Sequence, residues 1–129
     1  ENTEQFIEDL YTVDIRAWLK LECKVSQHGF RDNFLTRIIS DNCILRPEKS
    51  LLFYIEDHSI EGKFSIFWKV LNRGEFAKRR DCIRGQIVPD NGYSEKKEST
   101  LFRGEHLVEC YAIQNNIVIA KDRIHVPIR

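Results

Sequence analysis

The sequence predicts a mainly β chain, an immunoglobulin-like β-sandwich with one short helix inserted after the first strand. Three observations predict it. Short runs with apolar residues at every second position recur along the 129 residues, separated by Gly, Asn, Asp and Pro. Only Phe30 to Ser40 carries a convincing helical spacing. Trp68 sits in a central run and Cys110 in a later one, after a polar edge run, which is the layout of such a sandwich.

Residues 1–16 are polar and acidic. Phe6, Ile7, Leu10 and Tyr11 have rough helical spacing and predict a short helix or lead-in. Ala17 to Ser26 switches to period two, with Leu19, Leu21, Cys23 and Val25 inward and Trp18, Lys20, Glu22 and Lys24 outward. The helix follows, with Phe34, Leu35, Ile38 and Ile39 on one face and Asp32 as its N-cap. After a loop containing Pro47, Leu51 to Glu56 is a strand with Leu51, Phe53 and Ile55 inward.

Phe64 to Leu71 alternates fully: Phe64, Ile66, Trp68 and Val70 on one face, Ser65, Phe67, Lys69 and Leu71 on the other. Asn72-Arg73-Gly74 ends it, because Asn and Gly accept positive φ. Cys82 to Val88 is the next strand, and Gly85 within it marks a bulge or the close approach of another group. Pro89-Asp90-Asn91-Gly92 is a turn. Glu95 to Phe102 is a polar edge strand with its lysines outward. His106 to Ile113 is a strand, Asn115-Asn116 a hairpin turn, and Ile117 to Ala120 and Arg123 to Ile128 are two last strands.

The length suits one domain spanning residues 1–129, since domains cluster at about 100–150 residues. The chain begins ENTEQF without Met and shows no secretory signal, which suggests a domain excised from a longer protein. No apolar run approaches the roughly 20 residues that span a bilayer, so no membrane segment is expected in this fragment. Twenty basic and twenty acidic residues cancel. That balance argues against general nucleic-acid binding, which usually shows a basic excess, while leaving room for a local anion site.

Cys23, Cys43, Cys82 and Cys110 form no CxxC pair and no zinc spacing with His28, His58, His106 or His125. No metal or cofactor is therefore expected. Cys23 and Cys110 read as core thiols, reduced in a cytoplasmic protein; a Cys23–Cys110 disulfide is the alternative.

Catalytic motifs are missing: no G-x-S-x-G, P-loop or H-E-x-x-H is present. His106 and Glu109 point to opposite faces of a strand, which disfavours an acid–base pair. The chain is read as non-enzymatic, a hydrolase or transferase using His106 being the weakest alternative. The best anion candidate is Lys78-Arg79-Arg80 with Arg73 and Arg84, since arginine forks present two donors to one phosphate. The other reading of that charge run is a solvated loop. Glu98 shares a face with Thr100 and Phe102 and either pairs with Arg84 or reads a base edge. Trp68 reads as core, and Trp18, facing outward, as a partner-contact or base-stacking residue.

These residues carry a family resemblance. The runs WKVLNRGEFAKRRDCIRGQI, ESTLFRGEHLVECY and VIAKDRIHVPI resemble the adenylyl/guanylyl and SMODS C-terminal sensor domain (AGS-C). The spaced positions are Trp68, Val70, Asn72, Gly74 and Ala77; Arg84 and Gly85; and Glu98, Thr100, Gly104, His106, Val108, Glu109, Cys110 and Tyr111. DIRAWLKLECKVSQHGFR is similar to the family's first strand and following helix. The resemblance implies a sensor module fused to, or neighbouring, a nucleotidyltransferase of a bacterial CBASS-type anti-phage system. Its ligand would be a cyclic oligonucleotide or another nucleotide. On that reading Arg79, Arg80 and Arg84 hold phosphate, Asn72, Glu98 and His106 contact base or ribose, and Tyr111 or Trp18 stacks. The competing reading is an immunoglobulin-like interaction module that docks on a partner through its basic loop.

Overall fold

Alternating apolar residues form strands, and two sheets bury those residues against each other. The structure is a computed structural model and describes residues 4–26, 33–40, 50–72, 85–99 and 104–128. Its strands are β1 (Thr12–Val13), β2 (Leu19–Ser26), β3 (Asn33–Phe34), β4 (Ser50–His58), β5 (Ser65–Asn72), β6 (Ile87–Pro89), β7 (Glu95–Ser99), β8 (Gly104–Gln114) and β9 (Ile117–Ile128). One helix, α1 (Leu35–Ser40), follows β3. The strands make a five-stranded sheet in the order β1-β9-β8-β5-β6 and a four-stranded sheet in the order β3-β2-β4-β7. The short β1 runs parallel to β9; the other pairings are antiparallel.

The core lies between the sheets. Leu21, Cys23, Val25, Leu51 and Phe53 from the smaller sheet meet Trp68, Val70, Val108, Cys110, Ala120 and Val126 from the larger. Burying each large aliphatic side chain contributes about 1.5–3 kcal/mol. The two layers are also stitched by a polar contact. The β2–β4 register shifts between Lys20 and Leu21. Beside that bulge the amide of Leu21 donates to Asp122 Oδ2 of β9 at 2.9 Å.

Trp68 is fully buried at 0% exposure, and its indole Nε1 donates to Asp90 Oδ1 at 2.8 Å. Asp90 belongs to the Pro89–Gly92 turn. Its Oδ2 accepts from the amides of Gly92 (2.8 Å) and Ser94 (2.9 Å), while Gly92 takes φ +97°, which L side chains rarely adopt. Burial on its own raises the Asp90 carboxyl pKa. The Trp68 indole and the amides of Ser94, Gly92 and Glu95 outweigh it, so the carboxyl titrates below its ordinary value. A depressed folded-state pKa gives stability that is complete above the unfolded value, near 3.9, and is lost as pH falls through the folded one. Asp90→Asn should flatten the loss of melting temperature below about pH 4; an unchanged slope would remove Asp90 from that transition. Asp90→Ala should cost about 1–3 kcal/mol, because it strands the buried indole donor.

Several expectations shift. The lead-in is a single 3-10 turn, Ile7–Asp9, with Ile7 buried while Phe6 and Leu10 are exposed. The helix starts at Leu35, because Asn33 and Phe34 pair with Val25 and Lys24 as β3; Phe34 is exposed. Asp32 and the side chain of Ile39 lie outside the described residues. Glu22 stands on the outward face as expected but is buried at 7%, because α1 covers it: its carboxylate accepts from the Cys23 amide (3.0 Å) and from the Thr36 hydroxyl (2.9 Å) of α1. The two expected last strands are one, since Lys121 and Asp122 pair with Tyr111 and Cys110 and keep β9 continuous. Cys23 and Cys110 are free, buried thiols, not a disulfide. Burial pushes the Cys23 thiol up to about 12, with the Glu22 carboxylate adding to it, and raises Cys110 as well.

Candidate functional site

The predicted ligand residues divide into three groups. Arg79, Arg80 and Arg84, with Lys78, Arg73, Gly74, Ala77, Thr100 and Phe102, lie outside the described residues. Asn72, Glu98 and His106 come to one end of the two-layer core. Tyr111 lies on the far face of the larger sheet.

The common end follows from register. Asn72 pairs with His106, and His106 with Val126. In the other sheet Val25 pairs with Leu51, and Leu51 with Glu98. The chain through β2 is tied to β9 at Ala17 N–H to Ile119 O (3.0 Å) and then at Leu21 to Asp122, so it runs along β9 in the same direction. Its Val25–Ser26 end therefore meets the Val126 end. His106 is buried at 8%, on the core side with Val108 and Cys110. Glu98 shares the core-facing side with Leu51 and Phe53, and its carboxylate is 3.5 Å from Lys96 Nζ. Its expected partner Arg84 lies outside the described residues. Lys96, expected outward, instead faces Phe53 at the sheet edge, an inward charge that discourages further strand pairing. A cleft of about 510 Å³ opens at this end, lined by Ser26, Ser50, Leu51, Leu52, Lys97 and Glu98.

Gly85 does mark a close approach: a Cβ there would sit 2.7 Å from Glu4 Cα. The amide of Gln5 donates to Gly85 O at 2.8 Å, and Gln5 Oε1 accepts from the Ile87 amide at 2.7 Å. This N-terminal strap continues across the outer face of the larger sheet. It buries Ile7 against Tyr111, Ile113 and Val118, while Tyr11 meets Phe67 with ring centroids 5.8 Å apart.

Beneath the strap lies an ion cluster that reading the sequence missed. Lys69 is 4% exposed, its ammonium 2.9 Å from Glu4, 3.7 Å from Glu109 and 4.8 Å from the centre of the Phe6 ring. Tyr111 donates its hydroxyl to Glu109 at 2.7 Å; burial, then that bond and the carboxylate's charge, raise the phenol's pKa. The missed signal was parity: Lys69 shares its face with Phe67, so a covered face there had to carry the ammonium inside. His106 and Tyr111 thus point to opposite faces of β8 and cannot converge on one ligand. Trp18 is 53% exposed, outward as expected. Among the described residues no helix is long and apolar enough to cross a membrane.

The model of the Adenylyl/Guanylyl and SMODS C-terminal sensor domain family matches residues 1–129. A cytidylate cyclase of Staphylococcus aureus is 30% identical over 107 residues, 81% of this chain and 25% of that protein. A cyclic GMP-AMP synthase of Escherichia albertii is 29% identical over 112 residues, 84% of this chain and 24% of that protein. The chain spans about a quarter of the length of these curated relatives.

Proposed function

Because the chain belongs to the Adenylyl/Guanylyl and SMODS C-terminal sensor domain family, we propose that it is the nucleotide-sensing domain of a nucleotidyltransferase. Its ligand on this reading is a cyclic oligonucleotide or another nucleotide, and its setting a bacterial anti-phage system of the CBASS type, in the cytoplasm. The single observation that carries the reading is the family match over the whole chain; the two cyclase relatives support the attachment to a synthase. The domain itself is read as non-enzymatic: it binds, and the attached enzyme responds.

The strand order supports an immunoglobulin-like sandwich. β2, β4 and β7 stand in the A-B-E places and β9, β8 and β5 in the G-F-C places, with Trp68 on the C-equivalent strand. In this frame Asn72, Glu98 and His106 serve one end. Among the described residues, exposed Phe6, Leu10, Ile15 and Trp18 favour a second role as a docking surface for the attached enzyme.

The expected result is a rise in melting temperature with some member of a panel of linear and cyclic nucleotides, reduced in Arg84→Ala. A panel that leaves the folded domain unshifted would remove the sensor reading.

A further inference from the structure

The strap and the outer face of the larger sheet together make an anion site already filled by one of the protein's own carboxylates. In the ladder Lys69 stands opposite Glu109 and Glu109 opposite Arg123, while Tyr111 stands opposite Lys121. Side chains directly opposite in an antiparallel pair share a face. Arg123 is thus placed to pair with Glu109, but the partners that carboxylate takes are the Tyr111 hydroxyl and Lys69, both at Oε1. Lys121 and Arg123 are both exposed and have no ion-pair partner among the described residues. They line a cleft of about 400 Å³ with Glu109, Tyr111 and Asp122, within the size range of small-ligand sites.

A second cleft, of about 170 Å³, shares Glu109, Tyr111, Lys121 and Arg123 with the first. It also includes Lys69 and is walled by the strap residues Glu4, Phe6, Ile7 and Glu8. Lifting the first strap residues would join the two spaces and exchange one carboxylate for open access to a third cation. Little has to move: Ile7 and β1 anchor the strap farther along, so only Glu4 and its neighbours need detach.

We propose that this outer-face cleft binds a phosphate or phosphodiester anion. Lys121 and Arg123 take the first contacts, and the anion displaces Glu4 from Lys69. Guanidinium and ammonium donors are the chemistry such an oxyanion requires. Glu109, still holding Tyr111, supplies an acceptor for a ribose hydroxyl or a base amino group, which favours a nucleotide over a bare phosphate. The choice of a nucleotide as the source rests on the sensor reading above; the anion site does not. Binding would loosen the strap, and so the ligand would be reported through the N-terminal segment of the chain.

Isothermal titration with pyrophosphate, ATP and cyclic di-AMP tests this, combined with amide hydrogen exchange. Lys121→Glu plus Arg123→Glu changes exposed residues, and its fold is checked by its melting curve. It should weaken binding at least about tenfold, since each reversal removes a charge-assisted contact. Glu4→Ala should tighten binding several-fold by removing the internal competitor. Ligand should speed exchange at the Gln5 amide, which donates to Gly85. Pyrophosphate bound with this dependence, but no nucleotide, supports the anion site and sinks the nucleotide reading. Nucleotides bound equally well by the double reversal overturn the site and leave the sensor reading standing on a different surface. No binding by any probe overturns the site, and so does tight binding that Glu4→Ala leaves unchanged.

Discussion

Trp68→Ala should cost about 3–5 kcal/mol, the range for deleting a large buried aromatic. Trp68 heads the fully buried side chains by volume, so its removal leaves a large void in the core. It faces Cys110 on one side of the ladder and Val88 on the other, so the void opens at the centre of the larger sheet. The substitution also strands Asp90, whose Oδ1 loses the indole donor while Oδ2 still holds the turn. Urea denaturation should show a lower midpoint with little change in slope, because the surface exposed on unfolding is nearly the same. Trp68→Phe should cost less by refilling most of the volume. Its residual loss measures the indole–Asp90 bond and should shrink in an Asp90→Ala background. A loss under about 1 kcal/mol for Trp68→Ala would mean that the core is centred elsewhere.

The fold class was legible because period two is hard to counterfeit. Leu19, Leu21, Cys23 and Val25 had to share a face, and all four are buried. Asn115-Asn116 adopts φ of 54° and 63°, the two positive values that a tight hairpin with right-handed twist needs. What failed to show were departures from regularity. Counting back from that hairpin with Gln114 opposite Ile117 puts Asp122 opposite Glu109 and hides Arg123. The register shift between Ala112 and Ile113 moves the partner by one residue and turns Lys121 and Arg123 onto the face of Tyr111 and Glu109. A bulge leaves no clear composition signal, so the cationic half of the outer cleft was invisible beforehand.

Glu22 and Lys69 were obscured for a related reason. Alternation assigns a face but does not say whether something covers it. Thr36 of α1 supplies a hydroxyl to Glu22, and the strap supplies Glu4 to Lys69. Both partners lie outside the strand whose pattern was being read. Gly85 was legible because a missing Cβ has few explanations inside an apolar run, and the strap's Glu4 proved to be the approaching group. The strap therefore has two kinds of anchorage: apolar at Ile7, polar at Glu4 and Gln5.

Lys69→Ala should release the polar anchorage and destabilise the domain by about 2–4 kcal/mol. Removing one partner of a buried pair costs about 3–5 kcal/mol, because the other charge stays behind. Here the expected cost is shifted below that range, since the Glu4 and Glu109 side chains keep 17% and 21% of their exposure and so some water. The Phe6 ring loses its cation as well. Lys69→Met should be nearly as harmful despite filling the space, because the two carboxylates would then lose the buried ammonium between them. Adding Glu4→Gln to Lys69→Met should recover part of the loss by removing one of them. Urea denaturation gives the cycle, and exchange at the Gln5 amide should accelerate in Lys69→Ala far more than exchange in β8. If the double variant is as unstable as the sum of its parts, Glu4 and Lys69 act independently, and their contact does not hold the strap.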